Sequence, residues 1–242
     1  MDPDDRPALR LVPTWTTNAE AWTRAVRDGK ISSRRAGTDA AVVEAVVAGL
    51  PPAGRVLDLG CGEGWLARAL GALGLTVHGV DASAPLVEAA RAEGGPQTGG
   101  PQTGADGPAA GGAVTYAVLD YEAAAEDPGR LGGPYDAVVF NFSLLDDRAA
   151  APLRAARAVL EAGGRVVVQT VHPLAAGPPY ADGWREETFD GVEGDFEPMP
   201  WFFRTLGSWV RVVTAAGLTV AEVREPAHPD SGEPLSLILV AE

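Results

Sequence analysis

A chain of 242 residues with 46% hydrophobic residues is long enough for one α/β domain with decorations. Its 19 basic and 33 acidic residues give a net charge of −14, spread along the chain, which leaves no electrostatic footprint for nucleic acid or an anionic membrane. The single cysteine, Cys61, excludes an internal disulfide and is consistent with a reducing compartment; the absence of a long apolar run and the acidic start "MDPDD" predict a soluble, cytoplasmic protein.

The first segment with a pattern is "NAEAWTRAVRDGKISSRR", residues 18–35, where Trp22 stands at helical spacing to Val26. Its Arg24, Arg27, Arg34 and Arg35 form a local basic patch, read for the most part as a solvated helix face. Val43, Val46, Val47 and Leu50 make a helical stripe that stops at "PPAG". The run "RVLDL" (55–59) then reads as a buried strand, and Leu66, Leu70 and Leu73 predict a helix after it. Further strands are predicted at "LTVHGV" (75–80), "AVTYAVL" (113–119), "DAVVFN" (136–141) and "GRVVVQT" (164–170), with a helical pattern at Leu153, Val159 and Leu160 before the last. Leu206, Trp209, Val210 and Val213 make a final helix, with "MPWFFRTL" read as its lead-in. "LTVAEVR" and "LSLILVA" follow as strands whose connection holds no helix, which predicts an antiparallel pair. This alternation implies βαβ units and a mostly parallel sheet with helices on both faces.

Two stretches interrupt the pattern. Residues 94–112, opened by a tandem "GGPQT" repeat, have no side chain able to anchor a core and are read as a flexible surface excursion. Residues 173–204 are too long for an ordinary connection and rich in aromatics, as binding loops and lids are.

The most informative residues are "VLDLGCGEGW", 56–65, where a strand runs into three glycines and then a helix. The dinucleotide fingerprint fails here, because Gly64 comes one residue too early after Gly60 and Gly62. Asp58, two residues before the first glycine, repels a pyrophosphate and favours a cationic or amino-bearing ligand.

Asp58-Leu59-Gly60-Cys61-Gly62-Glu63-Gly64 resembles the glycine-rich first motif of class I S-adenosylmethionine-dependent methyltransferases, and the resemblance covers about residues 38–242. It implies a single-domain, Rossmann-like α/β fold: a seven-stranded, mostly parallel sheet with an antiparallel C-terminal strand pair and helices on both faces. It implies S-adenosylmethionine as cofactor and S-adenosylhomocysteine as product, with no metal. In "VHGVDAS", Asp81, followed by Ala82, falls where that family holds the ribose hydroxyls. Asp120 falls where the adenine amino group is held, with Tyr121 beside the ring, and Asn141 and Phe142 fall at the methionine end. Cys61 is read as a small residue fitted under the cofactor. Residues 1–37 are expected to form an N-terminal lid.

The expected chemistry is methyl transfer to a small molecule, since nothing in the chain suggests a nucleic-acid or membrane partner. Methylation of a peptide or protein side chain, and a non-catalytic cofactor-binding sensor, are the alternatives. The sequence leaves the acceptor atom and the oligomeric state open. His172, at the carboxyl end of the fifth strand, is the candidate general base, with a loop-holding role as the competing reading. Trp22, Tyr180, Trp184, Trp201, Phe202 and Arg204 are the candidate substrate-binding residues, since aromatics and charges together suit a cationic or ring-containing acceptor.

Overall fold

The computed structural model describes residues 6–93 and 112–242, so the predicted excursion at 94–112 lies outside the described residues but for Gly112. Seven strands form one sheet: β1 (Arg55–Leu59), β2 (Thr76–Asp81), β3 (Val114–Val118), β4 (Tyr135–Asn141), β5 (Leu160–Val171), and the terminal β8 (Val220–Arg224) and β9 (Ser236–Ala241). Their order is β3-β2-β1-β4-β5-β9-β8. The first five run parallel, while β9 is antiparallel to both β5 and β8. The central strands are apolar on both faces because helices cover both. One face carries Leu57, Val138, Phe140 and Val168 under α7 (Ala150–Ala158) and α8 (Leu206–Ala215). The other carries Val56, Val139, Val167 and Ile238 under α3 (Asp39–Val47) and α4 (Trp65–Ala72). Two further crossover helices, α5 (Ala84–Glu93) and α6 (Tyr121–Glu126), follow β2 and β3.

The helical pattern breaks where it meets an element's end. Leu73 is 60% exposed as the residue that closes α4. Val159 closes α7, and Leu160 already begins β5, four residues earlier than "GRVVVQT" suggests, because it pairs with Tyr135 before a register shift.

The largest departure is at "MPWFF". It is a strand, β7 (Met199–Phe203), antiparallel to β6 (Gly183–Glu187) in a separate hairpin, and not the lead-in to α8. The helix starts only at Leu206, where the Thr205 hydroxyl accepts the Ser208 N–H (3.2 Å) as an N-cap. Before β1 the chain forms α1 (Pro7–Thr17) and α2 (Ala19–Arg27). Both pack away from the sheet's own core, in a third apolar group with the hairpin.

Candidate active site

The carboxyl ends of β1, β2, β4 and β5 meet around the glycine loop and form the floor of the site. Gly60 has φ +81°, and a Cβ there would lie 2.3 Å from Ser143 Cβ and 2.7 Å from the Tyr121 hydroxyl. No side chain fits, so the backbone turns tightly enough to present its N–H groups at the start of α4. Gly64, with φ +84°, caps that helix, and a Cβ would sit 2.6 Å from the Tyr116 hydroxyl.

Asp81 ties the loop down. Its Oδ2 accepts the Gly62 N–H (2.9 Å) and its Oδ1 the Ser83 N–H (2.8 Å). A carboxylate has about four acceptor positions, so capacity remains for two ligand hydroxyls. Burial pushes its pKa up, against the backbone N–H groups of Ser83, Gly62 and Ala82, which favour the charged form.

Asp58 has no such support. It is buried, and neither carboxylate oxygen has a hydrogen-bond partner. Burial, reinforced by Asp81 and Glu63, pushes its pKa up to about 8. An unpaired buried carboxylate costs several kcal/mol in an isolated protein, so the floor is built for a ligand that brings a cation or an N–H donor. S-adenosylmethionine brings an ammonium group, and the residues present fit it. Cys61 is buried beneath the loop, where a Cβ on Gly79 would lie 3.0 Å from its Sγ, and burial, reinforced by Asp58 and Asp81, raises its thiol pKa well above the ordinary value. It is inert packing.

Asp120 caps α6, accepting the Ala123 N–H (2.7 Å), and stays exposed with acceptor capacity to spare. Tyr121 packs below the glycine loop: its ring meets Phe140 edge-on at 5.9 Å and its hydroxyl donates to the Leu59 carbonyl (3.1 Å). Phe142 holds a left-handed backbone (φ +52°), with its N–H on the Gln169 carbonyl (2.8 Å). Such conformations in a non-glycine residue persist only where surrounding contacts enforce them. The side-chain oxygen of Asn141 is buried without a partner.

His172 is buried, and both ring nitrogens are engaged. Nδ1 accepts the Leu174 N–H (3.2 Å), which puts the ring proton on Nε2, and Nε2 faces Glu225 Oε1 at 2.8 Å. Neither nitrogen is left free for a substrate proton, and the geometry is that of a brace for the loop after β5. His78, half-buried in β2, is satisfied by the Thr115 hydroxyl (2.9 Å).

A roof lies over this floor. A Cβ on Gly62 would come within 4.0 Å of Trp22 Nε1, so α2 crosses the glycine loop directly. Trp22 meets Trp15 edge-on at 5.2 Å, and both meet Phe189, which stacks on Phe196 at 4.6 Å. Asn18, almost wholly buried, clasps the two halves: its Nδ2 donates to the Glu197 carbonyl (2.9 Å) and its Oδ1 accepts the Glu197 N–H (2.8 Å). The hairpin in turn hangs on the loop after β4, where the Phe202 N–H donates to the Leu145 carbonyl (2.8 Å). Glu63 joins roof to floor: its buried carboxylate accepts the Trp65 N–H (3.0 Å) and lies 2.7 Å from Arg68 and 3.5 Å from Arg27 of α2.

The six aromatic and cationic candidates fall into three groups. Trp22 and Trp184 share the roof cluster. Tyr180 and Trp201 meet at Phe203, on whose ring Arg185 stacks at 3.6 Å while it donates to the Ala176 carbonyl (2.6 Å); the Tyr180 hydroxyl accepts the Leu206 N–H (3.1 Å). Phe202 and Trp209 sandwich the Arg204 guanidinium at 4.7 and 5.1 Å, where it donates to the Asp146 carbonyl. Burial pulls the Arg204 pKa down. Trp15, Asn18, Glu63 and Ser143 escaped the sequence reading; the heptad spacing from Trp15 to Trp22 is the one signal that points to any of them.

Residues 33–223 match the family model described as a methyltransferase domain. No curated protein matches the chain. Among solved structures, the chain is similar to the 1,6-didemethyltoxoflavin N1-methyltransferase of Burkholderia thailandensis (19% identity, TM-score 0.66, covering 100% of this chain and 92% of that one). It is similar to the magnesium protoporphyrin IX methyltransferase of Synechocystis (19%, TM-score 0.65, 100% and 99%). It also resembles the CcbJ methyltransferase of Streptomyces caelestis (25%, TM-score 0.57, 84% and 88%). No helix among the described residues is long and apolar enough to cross a membrane, and no group of three or more His, Cys, Asp or Glu among them is placed to hold a metal ion.

Proposed function

Because the chain belongs to the methyltransferase-domain family and is an enzyme that transfers a methyl group from S-adenosylmethionine, we propose that its acceptor is a small molecule held between the strand-end floor and the aromatic roof. The observation that carries this reading is the roof itself: α2 lies across the glycine loop and is clasped by Asn18 to the β6–β7 hairpin. An apolar cover built around Trp15, Trp22 and Trp184 above the strand ends suits a compact, partly apolar acceptor better than a folded protein or a duplex. The acidic balance of the chain points the same way. Two of the similar structures are of enzymes whose names give small acceptors, a porphyrin and a didemethyltoxoflavin. In this reading the expected N-terminal lid of residues 1–37, described from Arg6 onward, and residues 173–204 are two halves of one lid on a catalytic domain of residues 38–242.

The cofactor supplies an electrophilic methyl group on a sulfonium, so the protein's share of catalysis is alignment and exclusion of water. We assign Asp58 to the cofactor's ammonium, Asp81 to its ribose hydroxyls and Asp120 to its adenine amino group. Gly60, Gly62 and Gly64 keep the backbone low enough to admit it, with Ala82 and Cys61 shaping the bed. Asn141 and Phe142 border the methyl-bearing end. Trp22 and Trp184 press the acceptor down from above, while Tyr180, Trp201, Phe202 and Arg204 hold the hairpin that carries the roof. His172 braces the fifth strand's exit loop.

The test is a labelling experiment with a radioactive methyl donor offered to a metabolite extract and, separately, to an extract of proteins. Label in low-mass products supports the proposal. Label confined to protein overturns it in favour of a side-chain methyltransferase.

A further inference from the structure

The floor continues beyond Asp58 as a group of buried side-chain oxygens with no hydrogen-bond partner among the described residues. Asp58, Asn141 and Gln169 lie two residues beyond Val56, Val139 and Val167, all three of which face α3 and α4, so the alternation of a strand puts them on that same face. Asn141 and Gln169 are register partners on adjacent strands, about 4.8 Å apart. Gln169 is 1% exposed, and its Nε2 donates to the Thr38 carbonyl (3.1 Å) and faces the Ser236 hydroxyl (2.9 Å). A carbonyl only accepts, so the amide orientation is fixed and the free atom is its oxygen. Gln169 Oε1, Asn141 Oδ1 and the hydroxyl of the fully buried Thr38 are all without partners. Arg34, close to Thr38 in sequence, does not bond to them: its Nε donates to Asp39 (2.9 Å) and its guanidinium lies over the Trp65 ring at 4.2 Å.

Each orphaned acceptor costs about 1–3 kcal/mol, and a cluster of them at a binding site identifies what the ligand must bring. Resting on the methyl-transfer reading of the site, we propose that the acceptor atom is a nitrogen that carries both hydrogen and a free lone pair, as in a neutral primary or secondary amine, and that Asn141, Gln169 and Thr38 hold its N–H groups. A neutral primary amine has two N–H donors for these oxygens and one lone pair to aim at the methyl group. A carboxylate or thiolate has no donor for these oxygens; a hydroxyl has one donor and needs a base that His172 does not supply. In the transfer the nitrogen lone pair forms the new N–C bond, the C–S bond breaks, and its electron pair returns to sulfur as a neutral thioether. The extra proton on the methylated nitrogen leaves to water.

The experiment offers the full chain, with labelled donor, four pools of small acceptors (amines and N–H heterocycles, alcohols and phenols, thiols, carboxylic acids) and a protein extract, and identifies the linkage in each labelled product by mass spectrometry. Label on nitrogen is expected. Thr38→Val, which keeps the backbone carbonyl that orients Gln169, is expected to raise KM for the labelled amine about tenfold and leave S-adenosylhomocysteine affinity unchanged. Ser236→Ala, which removes one support of Gln169 but no free acceptor, is expected to change KM less than twofold. Label on oxygen, sulfur or carbon overturns the inference, as does an equal effect of the two variants, which makes the cluster a buried-water or packing feature. Label on a protein nitrogen keeps this inference and overturns only the small-molecule reading, so the two fail separately.

Discussion

Gly60 and Asn18 belong to opposite sides of one site, and they are fixed by different physics. The floor is backbone: three left-handed glycines, two N–H groups on Asp81, and Ser143 and Tyr121 wedged under Gly60. Its backbone turn arises within a short stretch of chain, and at Gly60 and Gly64 it leaves no room for a side chain. The roof is side chain: edge-on aromatic contacts worth roughly 0.5–1.5 kcal/mol each and one amide clasp between residues 179 positions apart. On the proposed reading, a floor of the first kind is a bed for a fixed donor, and a roof of the second kind, held by small separable contacts, is the part that sets what enters beside it.

The hardest break falls on the floor. Gly60→Ala forces a Cβ into Ser143 and keeps a strained φ; it should destabilise the chain by about 2–4 kcal/mol and abolish S-adenosylhomocysteine binding, read by thermal melting and calorimetry. A protein that still binds the ligand would mean that the loop yields and that the contrast with the roof is overdrawn.

Asp58→Asn separates stability from function within the floor. The folded apo chain keeps the Asp58 proton up to about pH 8, whereas the unfolded carboxyl ionises near 4, so the folded state binds more protons across that window and loses stability as pH rises through it. The variant should therefore melt higher than the parent at pH 8.5 without ligand, by on the order of 1–3 kcal/mol, with a smaller gap at pH 5. It should bind S-adenosylhomocysteine ~10- to 100-fold more weakly, the loss of a charged hydrogen bond of ~1.5–3 kcal/mol. A gap that does not change with pH would place the proton elsewhere.

Asn18→Ala tests the roof alone. It leaves the Glu197 N–H and carbonyl unsatisfied at a cost of roughly 1–2 kcal/mol, so amide exchange across residues 183–203 should quicken by about tenfold while S-adenosylhomocysteine affinity stays within twofold. Equal weakening of ligand binding would show that roof and floor act as one. A smaller effect, near 1 kcal/mol in melting, is expected for His172→Asn, which keeps an acceptor for the Leu174 N–H; methyl transfer should persist within about threefold. Loss of turnover with ligand binding intact would restore His172 as a base. The smallest is Glu193→Gln, at a surface pair with Lys30, where melting and turnover should not change measurably.

This division also explains what could be read in the sequence. The seven strands and the glycine turn are local patterns, and "RVLDLGCGEG" shows both a buried strand and the turn after it in ten residues. The ends of β1, β2, β4 and β5 follow at once, because a parallel sheet brings them to one edge. The hairpin was hidden because "MPWFF" lacks strand alternation, carries a proline, and pairs with "GWREE" only through an 11-residue connection. The Asn18 clasp and the free oxygens of Gln169 and Thr38 exist only after distant segments meet, so no spacing in the chain announces them. The same holds for His172, whose position is a property of its strand but whose two hydrogen bonds are not.

The hairpin's attachment has a practical reach. Its described hydrogen bonds to the loop after β4 end on main-chain carbonyls, the Phe202 N–H on Leu145 and the Arg204 guanidinium on Asp146, and a carbonyl is offered whatever side chain stands there. On the proposed reading, residues 183–204 are therefore the segment to exchange as a cassette when acceptor choice is to be re-tuned, with the Leu145 side chain, which packs in the same apolar cluster, kept.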